Sequence, residues 1–233
     1  MLCRFVLIGL LSSLSLTASE LPAYLKEALI SFHPEIPPDF AYTLTTRRGS
    51  EISVERFDPS RPTEEQWTLL LRNQRPATAE DNSRYRSYRI TIAPNARAIF
   101  KYGDIDLASL HLIRETESHA VFQGRFRDDL VDPMLHHLEI FLTVAKSPPA
   151  IDQYILQLIE PFSPVLTVKM LDLHVETILV APTDQAPLLP RRTNSHFRGR
   201  IMLFKSIEED VQTSYADFVR VTPIVPPSLP NPP

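Results

Sequence analysis

Alternation of apolar and polar residues recurs along most of this chain, and no other feature narrows its fold as much. Phe40, Tyr42 and Leu44 share one side of an extended segment. In the next segment Ile52 and Val54 oppose Glu51, Ser53 and Glu55, and Arg48-Gly49-Ser50 forms the turn between the two. Trp67–Leu71 reads as a third strand. Further along, His111–Thr116 and His119–Arg127 form a hairpin that puts Ala120, Phe122, Gly124 and Phe126 on one face against His119, Gln123, Arg125 and Arg127. Leu138, Ile140, Leu142 and Val144 follow on one side of His137–Ala145, and Ile151–Ile159 is apolar on both sides. Leu171, Leu173 and Val175 alternate with Asp172, His174 and Glu176 in a run that extends from Leu166 to Val180, before Phe197–Phe204 and Val211–Val221. Short turns between so many strands predict an antiparallel meander rather than βαβ units.

A sheet with one apolar face must cover it, and two helices are available. Leu21, Leu25, Ala28, Leu29 and Phe32 fall on one helical face, started by Pro22 and stopped before Pro34. Thr78 and Asp81 make a capping pattern for a second, short helix in which Tyr85 and Tyr88 are the main apolar positions. The expected fold class is therefore α+β: a curved antiparallel β-sheet, a half-barrel, covered by an N-terminal helix and a second short helix. One domain is expected over residues 20–221, because no linker interrupts Leu21–Val221. Residues 222–233, with Pro226-Pro227 and Pro230-Asn231-Pro232-Pro233, lack the donors to pair in a sheet and read as a disordered Pro-rich tail.

Composition removes several function classes. The chain has 5 Gly and 22 Pro, which disfavours glycine-rich phosphate loops, and its formal net charge of −4 gives no electrostatic case for nucleic acid. Residues 1–19 read as a signal peptide: Arg4, an apolar core over Phe5–Leu16, then Thr17-Ala18-Ser19 as a small-residue cleavage site. The run is short for a membrane span, and an uncleaved anchor is the other reading. Cleavage would remove Cys3, the single cysteine, and leave a protein suited to the periplasm, without cysteine catalysis or thiolate metal sites, and not membrane-spanning.

No catalytic motif stands out. Neither a Gly-x-Ser-x-Gly elbow nor His-Glu-x-x-His occurs, and Ser163 in Pro161-Phe162-Ser163-Pro164 reads as part of a bend. Asp104/Asp106 and Glu208/Glu209/Asp210 fit solvated loops. Asp128, Asp129, Asp132, His136 and His137 cluster without a known ligand spacing, and adjacent histidines on a strand point apart, so no metal, cofactor or catalytic residue is assigned. Large apolar residues are the better candidates. Trp67, Phe122, Phe126, Phe141, Phe162, Met170 and Phe204 are expected to line the concave side, either as core or around an apolar cavity. Arginines dominate the positive charge, with clusters at Arg84, Arg86 and Arg89 and at Arg191/Arg192. Arg125, Arg198 and Arg200 are the candidates for a rim that orients a head group, with surface pairing to acids as the plain alternative.

Phe57-Asp58-Pro59-Ser60-Arg61-Pro62, followed by Trp67, the leucines Leu69–Leu71 and the Pro76/Thr78 helix start, resembles a group of uncharacterised bacterial exported proteins with the LolA-like fold of lipoprotein carriers. The resemblance extends from about Phe40 to Val221. Its second part is the order of a bend at Pro161–Pro164, a long strand and a closing pair ending in Tyr215-Ala216-Asp217-Phe218. Members of the group often have a glycine after the Trp strand, where this chain has Gln74. The resemblance implies a periplasmic, non-enzymatic binding or carrier protein whose cavity takes a lipid, an acyl chain or a lipoprotein. The alternative is an envelope protein-interaction or sensing module that binds no lipid.

Overall fold

The computed structural model describes residues 20–92, 100–181, 187–202 and 205–223. The expected signal peptide, Phe204 and residues 224–233 of the tail lie outside them. Along the chain come α1 (Ala23–Ile30), β1 (Phe40–Arg48), β2 (Glu51–Phe57), β3 (Trp67–Arg72), β4 (Arg75–Pro76), α2 (Ala79–Ile92), β5 (Ile105–Glu115), β6 (His119–Phe126), β7 (Leu138–Lys146), β8 (Pro149–Leu158), β9 (Phe162–Val165), β10 (Val168–Val180), β11 (Leu189–Ile201) and β12 (Lys205–Arg220). All strands belong to one 12-stranded sheet of order β4-β3-β2-β1-β12-β11-β10-β8-β7-β6-β5, with β9 on the free part of β10. The class is α+β and the sheet is antiparallel and open, its ends being β4 and β5.

Two meanders, β1–β4 and β5–β12, are joined by pairing of the first strand with the last, from Phe40 opposite Arg220 to Arg48 opposite Val211. One register row crosses nearly the whole sheet on the face that both helices cover. It runs Phe122, Leu142, Tyr154, Thr177, Thr193, Thr213, Thr46 and Ser53. The row is apolar at one end and hydroxyl-bearing at the other. The apolar end lies under α1, which packs on β7 and β8. Leu25, Ala28, Leu29 and Phe32 are buried there, and the Phe32 ring lies 5.9 Å from Tyr154 and 6.2 Å from Phe100. At the hydroxyl end Thr177 and Thr193 bond to each other at 3.0 Å.

Several elements differ from expectation for identifiable reasons. The Pro161–Pro164 bend is a short strand, because Phe162 pairs with Met170 and packs inward. β12 begins at Lys205 rather than Val211, since its acidic run is paired across strands: Glu209 with Arg48 at 2.9 Å and Asp210 with His196 at 2.9 Å. Asn73 and Gln74 take φ of 50° and 67°, so the β3–β4 turn uses a left-handed pair without a glycine, and Asn73 secures it through Ile52 N–H at 3.0 Å. On β2 the helix-covered face carries Ser53, Glu55 and Phe57 rather than Ile52 and Val54.

Two glycines mark close approaches on the buried face. A Cβ on Gly199 would lie 2.6 Å from Phe197 Cζ and 2.9 Å from the Lys169 carbonyl oxygen, whereas one on Gly124 would meet the tip of Leu110 at 2.7 Å. A leucine methyl can rotate away and a strand carbonyl cannot, so Gly199→Ala should destabilise by about 1–3 kcal/mol and Gly124→Ala by less. Urea unfolding of the two variants measures the difference, and an equal or reversed order would show that the β10–β11 contact yields.

Candidate functional site

The site lies where α2 crosses the β1–β3 end of the sheet. α2 starts at a reciprocal cap: Asp81 N–H donates to Thr78 Oγ1 at 3.1 Å, and Thr78 N–H donates to Asp81 Oδ2 at 3.0 Å. The Arg75 side chain, then the bonds from Thr78, hold the Asp81 carboxyl well below the usual carboxylate range. One turn later Asn82 acts as a substitute strand. It accepts from Leu69 N–H at 2.9 Å and donates to Leu69 carbonyl at 3.0 Å, satisfying the β3 edge beyond the reach of β4.

Beneath α2 is the Glu55 carboxylate, on a side chain only 8% exposed. Ser53 Oγ donates to its Oε1 at 2.8 Å, Tyr85 hydroxyl donates to its Oε2 at 2.6 Å, and the Arg89 guanidinium bonds the same Oε2. Arg89 Nε also donates to the Tyr85 oxygen at 2.9 Å, and its guanidinium lies 4.2 Å from the Trp67 ring centroid. Burial disfavours the Arg89 charge, but the Glu55 carboxylate and the Tyr85 phenol outweigh it and leave the pKa above its ordinary value. Burial, then Glu55, pushes the Tyr85 phenol far up; burial, then Tyr215, does the same for Tyr42.

Above this locked layer is a cleft of about 620 Å³. Its walls combine Leu69, Tyr85 and Tyr88 with the polar ends of Thr46, Ser53 and Asn73. Four arginines reach it against three carboxylates. Arg89 is taken by Glu55, Arg84 by Glu80 at 2.5 Å and Arg48 by Glu209 at 2.9 Å. Asp81 is likewise held by Arg75 at 2.8 Å. Arg72 makes no ion pair among the described residues, and Glu51 lies across from Arg48. Chemically this is a half-open pocket with aromatic and aliphatic walls and one uncommitted guanidinium.

None of the apolar candidates among the described residues lines the cleft. Phe122, Phe126 and Phe162 are packed in the core under α1, with Met170 against it. Phe141 faces the other side, because it pairs with Gln123 and Ile155 while its neighbours Ile140 and Leu142 are fully buried. Trp67 lies under Arg89, with Phe57 at 4.9 Å and Tyr42 at 6.1 Å. The arginines named for a rim stand on the outer face of the sheet rather than around a shared opening. Arg125 is opposite Glu139, Arg198 is 3.9 Å from Asp172, and Arg200 is opposite Lys169 and Ser206. Beside Arg198 the Asp210 bond raises the His196 pKa.

Among the described residues no three His, Cys, Asp or Glu side chains are grouped to hold a metal ion. Asp129 pairs with Arg127 at 2.5 Å, and His137 stacks on Phe162 at 4.2 Å. The Glu55–Arg89 pair was not read from the sequence, where Glu55 stood only on the polar side of its strand and Arg89 in an arginine cluster on the helix. The available signal was strand parity: Glu55 shares a face with Phe57.

No family model, curated protein or solved structure matches the chain.

Two outcomes are expected. Arg89→Met leaves Glu55 buried beside Ser53 and Tyr85 alone, at a cost near the lower end of the roughly 3–5 kcal/mol typical of a broken buried pair, because Arg89 keeps some exposure. Adding Glu55→Gln should recover much of that loss in a double-mutant cycle; simple additivity would mean the pair is not coupled. The Tyr154 phenol is pushed up to about 12 by burial. Folded protein therefore holds a proton that the unfolded chain releases near pH 10, so this contribution is complete below about pH 10 and lost as pH rises through about 12. Tyr154→Phe should flatten the stability profile in that window.

Proposed function

We propose that this chain is a non-catalytic binding or carrier protein of the bacterial envelope, and that its ligand is an amphipathic anion such as a lipid, an acyl chain or the lipid portion of a lipoprotein. The observation that carries the reading is the α2 cleft. Leu69, Tyr85 and Tyr88 offer apolar contact there, and Arg72 offers a free charge for a carboxylate or phosphate head group. The floor cannot supply that charge, because the Glu55–Arg89–Tyr85 layer is internally neutralised.

Residues 1–19 support export to the periplasm through their signal-peptide pattern. An open antiparallel sheet with helices on one face supports a LolA-like half-barrel as the finer architecture. In this chain the apolar concavity under α1 is filled by its own side chains. The proposal accordingly moves ligand binding from Phe122, Phe126 and Phe162 to the cleft under α2.

The test is uptake of a fluorescent fatty acid by the purified protein, together with native mass spectrometry and lipid extraction. Saturable uptake, weakened roughly tenfold or more by Arg72→Glu and also reduced by Tyr88→Asp, is expected, since a charge-assisted hydrogen bond contributes about 1.5–3 kcal/mol. Absence of uptake and of co-purifying lipid overturns the reading, and uptake indifferent to both substitutions removes the cleft from it.

A further inference from the structure

At one end of the sheet two neighbouring hairpins turn side by side. β9 and β10 close at Val165 opposite Val168, and β10 and β11 are in register from Val168 opposite Ile201 onward. Ile201 in turn opposes Lys205 of β12. The Met202 N–H donates to the Thr167 carbonyl at 2.7 Å, fastening one tip to the other. These tips carry exposed apolar side chains: Val165 is 56% exposed, Leu166 99% and Met202 67%. Immediately behind them stand Lys169, Arg200 and Lys205, all exposed, with Lys169 directly opposite Arg200. None of the three makes an ion pair among the described residues, whereas Arg198, one register step deeper, lies 3.9 Å from Asp172 and faces Glu208.

We propose that these paired tips dock the protein onto an anionic lipid bilayer, with Val165, Leu166 and Met202 entering the interface and Lys169, Arg200 and Lys205 meeting the head groups. The arrangement has the two components of peripheral membrane attachment, apolar insertion and a basic collar, in the order required by depth. A stable protein interface needs about 800 Å² on each side with a packed centre, whereas the exposed apolar surface among the described residues of the tips is that of Val165, Leu166 and Met202.

Acidic groups do not cancel the collar. The acidic groups nearest the tips on these strands, Asp172 and Glu208, both face Arg198, which stands between them and the collar's own register row. The inference does not depend on what occupies the α2 cleft.

The test uses the full chain with Cys3→Ser and Thr167→Cys, the latter carrying an environment-sensitive fluorophore and leaving Leu166 in place. Vesicles of equal parts phosphatidylcholine and phosphatidylglycerol should shift its emission to the blue, and vesicles of phosphatidylcholine alone should not. Lys169→Gln and Lys205→Gln should each weaken vesicle binding roughly fivefold. Leu166→Asp with Met202→Asp should remove the shift while the urea midpoint stays in place, since both side chains are exposed in the folded state. The proposal is overturned if anionic vesicles cause no shift, if neutral vesicles cause the same one, or if the Asp variant retains it. A shift that appears without lipid and grows with protein concentration also overturns it, assigning the tips to contact between copies of the chain.

Discussion

Pairing of β1 with β12 is the constraint on which the rest of this architecture depends. Phe40 and Arg220 oppose each other, so the two meanders become one sheet only when nearly the full length of the described chain has been brought together. Within each meander the strands are linked by short turns and form locally. The closing pair has no such help, and its loop entropy must be met by contacts that appear at the same moment. Tyr42 supplies them: its ring lies 6.2 Å from Tyr215 and 5.7 Å from Phe218 on β12, and 5.3 Å from Phe57 on β2. The aromatic cluster thus fastens the same junction that the backbone hydrogen bonds zip.

A buried carboxylate in such a junction is costly unless it is fully bonded. Glu55 receives Ser53, Tyr85 and Arg89, and two of those three come from α2. The helix is otherwise polar, so its position is specified by directional bonds more than by apolar burial. This contrasts with α1, where Phe32 and Leu25 are completely buried and packing alone is sufficient. One sheet therefore carries two helices attached by different physics, and the cleft forms beside the one that is attached less greasily.

Much of the strand content was legible because period-two alternation is a direct consequence of pleating: the buried face of β6, with Ala120, Phe122, Gly124 and Phe126, follows from the letters alone. The same rule, applied to β7, puts Phe141 opposite Ile140 and Leu142, and treating it as part of the concave lining let residue type override parity. What was not legible depends on partners distant in sequence. Glu209 and Asp210 look like loop residues until Arg48 and His196 are placed across from them. Glu55 looks solvated until a helix thirty residues on delivers Arg89 and Tyr85, with sequence separations of 34 and 30. The cleft is built from such distant pairs, which is why the fold class was readable and the site was not.

The bonds between Asn82 and the Leu69 backbone have a consequence for solubility. Short β4 leaves Trp67–Leu69 as an open strand edge, and an open apolar edge is a template for addition of strands from other molecules. One asparagine occupies that template, and the cap at Thr78 and Asp81 keeps it there. Whatever loosens the start of α2 would release more than a helix: it would expose a nucleus for edge-to-edge aggregation, so the lifetime of the soluble protein rests on a single amide side chain.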